Sequence, residues 1–148
     1  MLKKIILIIL CIFVVTGCDY KKELGINGTK QNNENEVTNY MRIFIDGKEY
    51  IVNLEDNETT KSFIKILPLE INMNDLNNNE KYAYLDVTLP TNSINPKYIS
   101  AGDVMLYGNN CLVIFYKSFT TNYSYTKIGH IDNMVNLGNN EVKVKIEY

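Results

Sequence analysis

Few side chains in this sequence are suited to chemistry, and their scarcity narrows the choices. His130 is the only histidine, Arg42 the only arginine and Gln31 the only glutamine; there is no Trp, and the cysteines are Cys11, Cys18 and Cys111. One imidazole cannot build a histidine-rich metal centre or a two-histidine proton relay. A Ser-His-Asp arrangement would have to use His130, and no strand–elbow motif accompanies it. Cys111 opens the apolar run Cys111-Leu112-Val113-Ile114-Phe115-Tyr116, which reads as a strand with a buried structural thiol. A nucleophilic Cys111 would want His130 as its base, and nothing in the sequence places the two together. The densest constellation is aromatic: Tyr107, Tyr116, Tyr123 and Tyr125, interleaved with Asn109, Asn110, Asn122, Ser124 and Thr126. Tyrosine joins apolar area to a hydroxyl, a combination suited to peptide or sugar grooves. The other reading is that alternate tyrosines fill a barrel and cap its mouth. Tyr107, Asn110, Tyr116, Tyr123, Tyr125 and Thr126 are therefore the candidate ligand-binding residues. The acidic run Glu55-Asp56-Glu58 reads as a solvated helix start, with a calcium site as the alternative. There is no GxGxxG, P-loop, HExxH, CxxC or EF-hand pattern, so no catalytic residue, metal ligand or cofactor is assigned.

The chain has 148 residues, 45% of them hydrophobic and 22% charged, with a formal net charge of −2. That is one domain, or one domain and a tail. With a single arginine and an acidic balance it is a poor nucleic-acid binder, because neutralising phosphates needs clustered Lys and Arg.

The N-terminus reads as an address. Met1-Leu2-Lys3-Lys4 is a short basic region, and residues 5–15 are an apolar run of eleven. That is too short for the roughly 30 Å hydrocarbon core, which needs about 20 residues, and it suits the core of an export signal. Val15-Thr16-Gly17-Cys18 resembles the bacterial lipobox, with an aliphatic residue at −3, a small one at −1 and the cysteine at +1. The thiol is needed for a thioether to diacylglycerol, and small flanking residues admit the peptidase. An ordinary secretory signal or an uncleaved anchor helix are the other readings. The lipobox implies a signal over residues 1–17, a mature chain beginning at lipidated Cys18, and retention on the extracytoplasmic face of the cell membrane by acyl chains, at about 0.8 kcal/mol per buried CH₂. Cys11 leaves with the signal and Cys18 carries lipid, so Cys111 has no intrachain disulfide partner. Removing Lys3 and Lys4 leaves 13 basic against 17 acidic side chains, net −4, which disfavours electrostatic adhesion to anionic headgroups. Residues 18–39 are polar, with Gly25, Gly28 and little apolar periodicity. They read as a flexible tether.

Residues 40–148 carry the elements that must position the tyrosines. Met41 to Ile45 and Lys48 to Leu54 flank Asp46-Gly47, a strong hairpin signal. Asp56 or Asn57 can cap a helix on which Thr60, Phe63, Ile64 and Leu67 form one apolar face of about three turns, stopped by Pro68. Leu69 to Met73 is a short strand, Asn74 to Glu80 a polar loop or single helical turn, and Lys81 to Leu89 a tyrosine-rich strand closed by Pro90. Thr91 to Ser100 is a loop. Asp103 to Tyr107 and Cys111 to Tyr116 form a hairpin around Gly108-Asn109-Asn110. Lys127 to Ile131 is another short strand. Val142, Val144 and Ile146 alternate with charged residues in a closing half-buried strand. About eight short strands and one helix suggest a β-barrel or sandwich. Most of the 21 Asn fall in turns, where the side chain bonds nearby backbone and left-handed φ is tolerated.

In order, Ile45-Asp46-Gly47-Lys48-Glu49-Tyr50, Leu54-Glu55-Asp56-Asn57-Glu58-Thr59, Leu67-Pro68-Leu69, Asn74-Asp75-Leu76-Asn77, Glu80-Lys81-Tyr82, Ala101-Gly102-Asp103-Val104-Met105-Leu106-Tyr107, Cys111 to Tyr116 and Ser124 to Ile131 resemble the series of motifs of the bacterial cyclophilin-like domain family. The resemblance implies a mainly β fold: a closed eight-stranded barrel with one or two short helices. True cyclophilins isomerise Xaa-Pro bonds with an arginine that polarises the prolyl amide, aided by Phe, Gln, Trp and His. Here Trp is missing, Arg42 falls in the opening strand and Gln31 in the tether, so no catalytic residue carries over. The expectation is a membrane-tethered, non-catalytic module that binds a peptide or small ligand. The alternative is a weak prolyl isomerase acting on exported proteins.

Overall fold

The computed structural model describes residues 39–148. The signal over residues 1–17, the lipid-anchor candidate Cys18 and the tether up to residue 38 lie outside the described residues.

Along the described chain run β1 (Tyr40–Ile45), β2 (Lys48–Leu54), α1 (Glu58–Ile64), β3 (Leu69–Leu76), β4 (Glu80–Tyr84), β5 (Tyr98–Ile99), β6 (Asp103–Tyr107), β7 (Cys111–Phe115), β8 (Phe119–Thr120), β9 (Thr126–Ile131) and β10 (Val142–Glu147). Eight strands close an antiparallel barrel in the order β1-β10-β3-β4-β7-β6-β9-β2, and β1 pairs with β2 to complete the ring. The first hairpin turns at Asp46-Gly47, both at positive φ, the geometry that matches the strand twist. Met41, Ile43 and Ile45 on β1, and Tyr50, Val52 and Leu54 on β2, face the interior.

The helix is two turns long rather than three. Asn57 caps it by accepting from the Thr60 N–H at 2.9 Å. After Ile64, the amides of Ile66 and Leu67 bond back to the Phe63 and Ile64 carbonyls, so the chain tightens as it approaches Pro68, which brings no N–H. The helix docks on β9: the Asn57 amide donates to the Lys127 carbonyl at 2.8 Å and the Thr60 hydroxyl to the Ile128 carbonyl at 3.2 Å. β3 outruns the expected Leu69–Met73 because it serves two partners in succession, β10 along Leu69–Met73 and β4 along Asn74–Leu76. β4 starts at Glu80 and stops at Tyr84, well short of Leu89. Its partner β7 begins at Cys111, opposite Tyr84, and the next amides, of Leu85 and Leu89, go to the carbonyls of Asn110 and Asn109.

Two apolar clusters result. One fills the barrel, from Met41 to Ile146, with Phe63 of α1 closing on it. The other lies on the outer face of β6 and β7 and gathers Ile99, Met105, Cys111, Val113, Phe115 and Tyr125, with Tyr82 and Phe119 against them. β7 is thus covered on both sides, which is why Cys111 to Phe115 reads as an unbroken apolar run and not an alternation. The outer cover is the segment that the sequence presents as loops. β5 pairs with β8, and Ile94 bridges to Tyr125. All barrel strands, the helix and both clusters lie within residues 40–148, so this segment carries its own core.

Candidate functional site

The strand alternation of β4 builds the site. Lys81 and Ala83 turn inward, so Glu80, Tyr82 and Tyr84 share the outer face and line one wall of a cleft. Cys111 and Val113 of β7 form its floor, and Tyr107, Phe119, Tyr123 and Tyr125 form the far wall. The volume is about 340 Å³, within the range of small-molecule pockets. The far wall holds together ring against ring. Tyr107 meets Tyr123 edge-on at 6.1 Å between centroids and Tyr125 at 5.5 Å. Tyr125 meets Phe115 edge-on at 5.4 Å, and Phe115 meets Phe119 at 5.7 Å. On the near wall Tyr82 and Tyr84 meet edge-on at 6.1 Å. Tyr84 and Tyr123 are each more than 60% exposed, so their faces are open to a ligand.

Among the described residues, Glu80 is the only charged one lining the cleft. Its residue surface is 8% exposed, and its carboxyl has no hydrogen bond or ion pair among the described residues. Burial, reinforced by the charge of Asp75, pushes its pKa up to about 7. Beside it the Asn79 Oδ1 is buried with no hydrogen-bond partner. The Cys111 thiol is pushed up by burial and by the Glu80 charge, and Tyr125 is pushed up to about 12, first by burial and then by the same charge. Cys111 and Tyr125 are therefore held neutral and protonated beside that one carboxyl. Among the described residues no three His, Cys, Asp or Glu side chains come together to hold a metal ion.

Of the sequence-derived candidates, Tyr107, Tyr123 and Tyr125 line the cleft. Tyr116, Asn110 and Thr126 do not. Tyr116 is buried, and its hydroxyl donates to Asp75 and to Asn78 Oδ1 at 3.2 Å. The Asn110 amide donates to the Leu85 carbonyl at 3.3 Å. The Thr126 hydroxyl accepts from the Asn92 N–H at 3.0 Å and meets the Ser93 hydroxyl at 3.2 Å. The sequence reading missed Glu80, Asn79, Tyr82, Tyr84 and Phe119. The signal for three of them was present: Glu80, Tyr82 and Tyr84 alternate, but starting the strand at Lys81 left Glu80 in a loop.

The remaining chemical residues lie elsewhere. His130 Nδ1 sits 3.0 Å from Asp103 Oδ1, at the opposite end of β6 from Tyr107, the partner of Cys111. Four residues of strand, about 13 Å, separate the two registers. Arg42 donates to Glu147 at 3.0 Å on the β1–β10 face. Asp56 and Glu58 pair with Lys61 at 2.9 and 3.5 Å, all exposed.

A family model described as the cyclophilin-like family matches residues 43–147. Among solved structures, the solution structure of the hypothetical protein AF2241 from Archaeoglobus fulgidus is similar at 20% identity, with a TM-score of 0.57. The match covers 73% of this chain and 92% of that one, and at that identity it speaks for the fold alone. No curated protein matches the chain.

Proposed function

The chain belongs to the cyclophilin-like family, and from that premise we propose that it is a lipid-anchored, extracytoplasmic binding module whose ligand seat is the tyrosine-lined cleft. One observation carries the reading. The cleft combines open aromatic faces with one carboxyl, Glu80, that no cation or hydrogen bond among the described residues engages. A carboxyl without a partner in an aromatic-lined cleft is a polar group that a ligand can engage. Binding is favoured over isomerisation because the chain's single arginine, which would have to polarise a prolyl amide, is committed to Glu147 on another face. The membrane anchor rests on the Val15-Thr16-Gly17-Cys18 sequence.

Residues 39–148, labelled with ¹⁵N, are titrated with libraries of short peptides and small polar ligands. Saturable amide shifts are expected at Glu80, Tyr82, Tyr107, Val113 and Tyr123. No saturable shift with any library would overturn the reading. Acceleration of Ala-Pro isomerisation over buffer in an exchange assay would replace it with a prolyl isomerase.

A further inference from the structure

Building on that ligand seat, we propose that the cleft selects organic cations, an alkylammonium carried by a free amine or a lysine-like side chain, with Glu80 as counter-charge and the tyrosine rings as the cage. The charged group of the cleft is an acceptor: the Glu80 carboxyl, which has no ion pair or hydrogen bond among the described residues. It calls for a ligand that brings N–H donors, and an ammonium brings three.

The walls suit a positive charge as well. Tyr82, Tyr84, Tyr107 and Tyr123 surround the cleft, and aromatic faces attract cations within about 6 Å of the ring centroid. Among the described residues no lysine or arginine lines the space to compete. The nearest strongly buried cation, Lys81, is turned to the other side of β4. It donates to Asp75 at 2.9 Å and to the Gly138 and Asn140 carbonyls at 2.7 Å each, so it is satisfied and does not neutralise Glu80. An alkyl chain would rest against Val113, Phe119 and Tyr125, leaving its charged end at Glu80.

Binding must then follow the ionisation of Glu80. The groups facing it are Asp75 from β3, Cys111 from β7, Tyr116 beyond β7 and Tyr125 before β9. Of these only Asp75 is charged at neutral pH, and it is held low. Between pH 5 and pH 8 the change in the cleft is therefore the loss of the Glu80 proton.

The full chain in detergent and residues 39–148 are titrated calorimetrically with n-butylammonium, with N-acetyl-lysine methylamide and with neutral n-butanol. At pH 8 both cations are expected to bind at least tenfold tighter than the alcohol. The preference should fall at least tenfold in Glu80→Gln, and in the parent at pH 5. The lysine amide binding tighter than the amine identifies a peptide side chain, and the reverse a free amine; both support the cation. Tyr107→Leu, which leaves Glu80 in place, should weaken the cations at least threefold. Equal binding of n-butanol, or an undiminished cation in Glu80→Gln, overturns the cation claim and leaves the binding module standing. Absence of binding by either cation at pH 8 also overturns it, and the library titration then decides the module separately.

Discussion

At the scale of single residues, two neighbouring acids respond to pH with opposite sign. Asp75 is partly buried, which would raise its pKa, yet hydrogen bonds from Tyr116, Lys81 and the Asn78 N–H hold it below the usual carboxylate value. Its folded pKa is depressed, so its contribution is present above the unfolded carboxylate range and lost as pH falls through the folded value. Lys81 has no exposed surface, and among the described residues Asp75 is its only carboxylate partner. Asp75→Ala would strand a buried ammonium on two carbonyls and is expected to cost about 3–5 kcal/mol, read as a lowered urea midpoint at pH 7; a loss under 1 kcal/mol would contradict the pairing. Glu80 behaves in reverse. Its folded pKa of about 7 stands above the unfolded value, so the stability it contributes is full below about pH 4.5 and declines as pH rises through 7. Glu80→Gln removes that decline. Its stability advantage over the parent is expected to grow by about 2–3 kcal/mol from pH 5 to pH 8, and an advantage independent of pH would refute the assigned burial. A residue that costs stability once ionised fits the proposed ligand seat.

At the scale of elements, β6 enters the barrel through Gly102. Its N–H donates to the Phe115 carbonyl at 2.7 Å and its carbonyl accepts from the Ile131 N–H at 2.8 Å, so it is wedged between β7 and β9. Its φ is +101°, and a Cβ there would press into the Ile131 carbonyl oxygen, with His130 Cε1 at 3.1 Å. Gly47 also has positive φ, but the space around it is open. Gly102→Ala is therefore expected to cost at least about 2 kcal/mol more than Gly47→Ala, compared by chemical denaturation. Equal costs would show that backbone strain alone governs both. Elements of this kind were legible where local pattern decides: the Asp46-Gly47 hairpin, the Asn57 cap, the Gly108-Asn109-Asn110 turn and the β10 alternation. What local pattern cannot show is which partner a segment meets. The extra length of β3 comes from its second partner, and the early end of β4 comes from where β7 begins. The two-residue strands β5 and β8 exist only because they find one another across 20 residues. The cleft was half legible for the same reason. Tyr107, Tyr123 and Tyr125 cluster in sequence, whereas Glu80 and Tyr84 reach them only through the β4–β7 pairing.

At the scale of the whole molecule, the proposed anchor and the barrel make separable predictions. A chain held by acyl groups at Cys18 stays with membranes through a high-salt wash, since screening weakens only electrostatic adhesion. Cys18→Ala is expected to abolish acyl labelling and release the chain to the soluble fraction; unchanged fractionation would refute the lipid anchor. The barrel closes by pairing β1 with β10, with Arg42 opposite Glu147, residues 105 positions apart. Bringing residues so distant in sequence together costs loop-closure entropy, and contacts of this kind slow the folding of a domain. Yet the same pairing leaves Tyr40 and Tyr148 at one rim, close enough for a short linker. A circular permutant that joins them and opens at the exposed turn Asp132-Asn133 would make the most distant contact a local hairpin. It should refold faster than the parent while keeping the cleft intact, because none of the cleft's walls is cut.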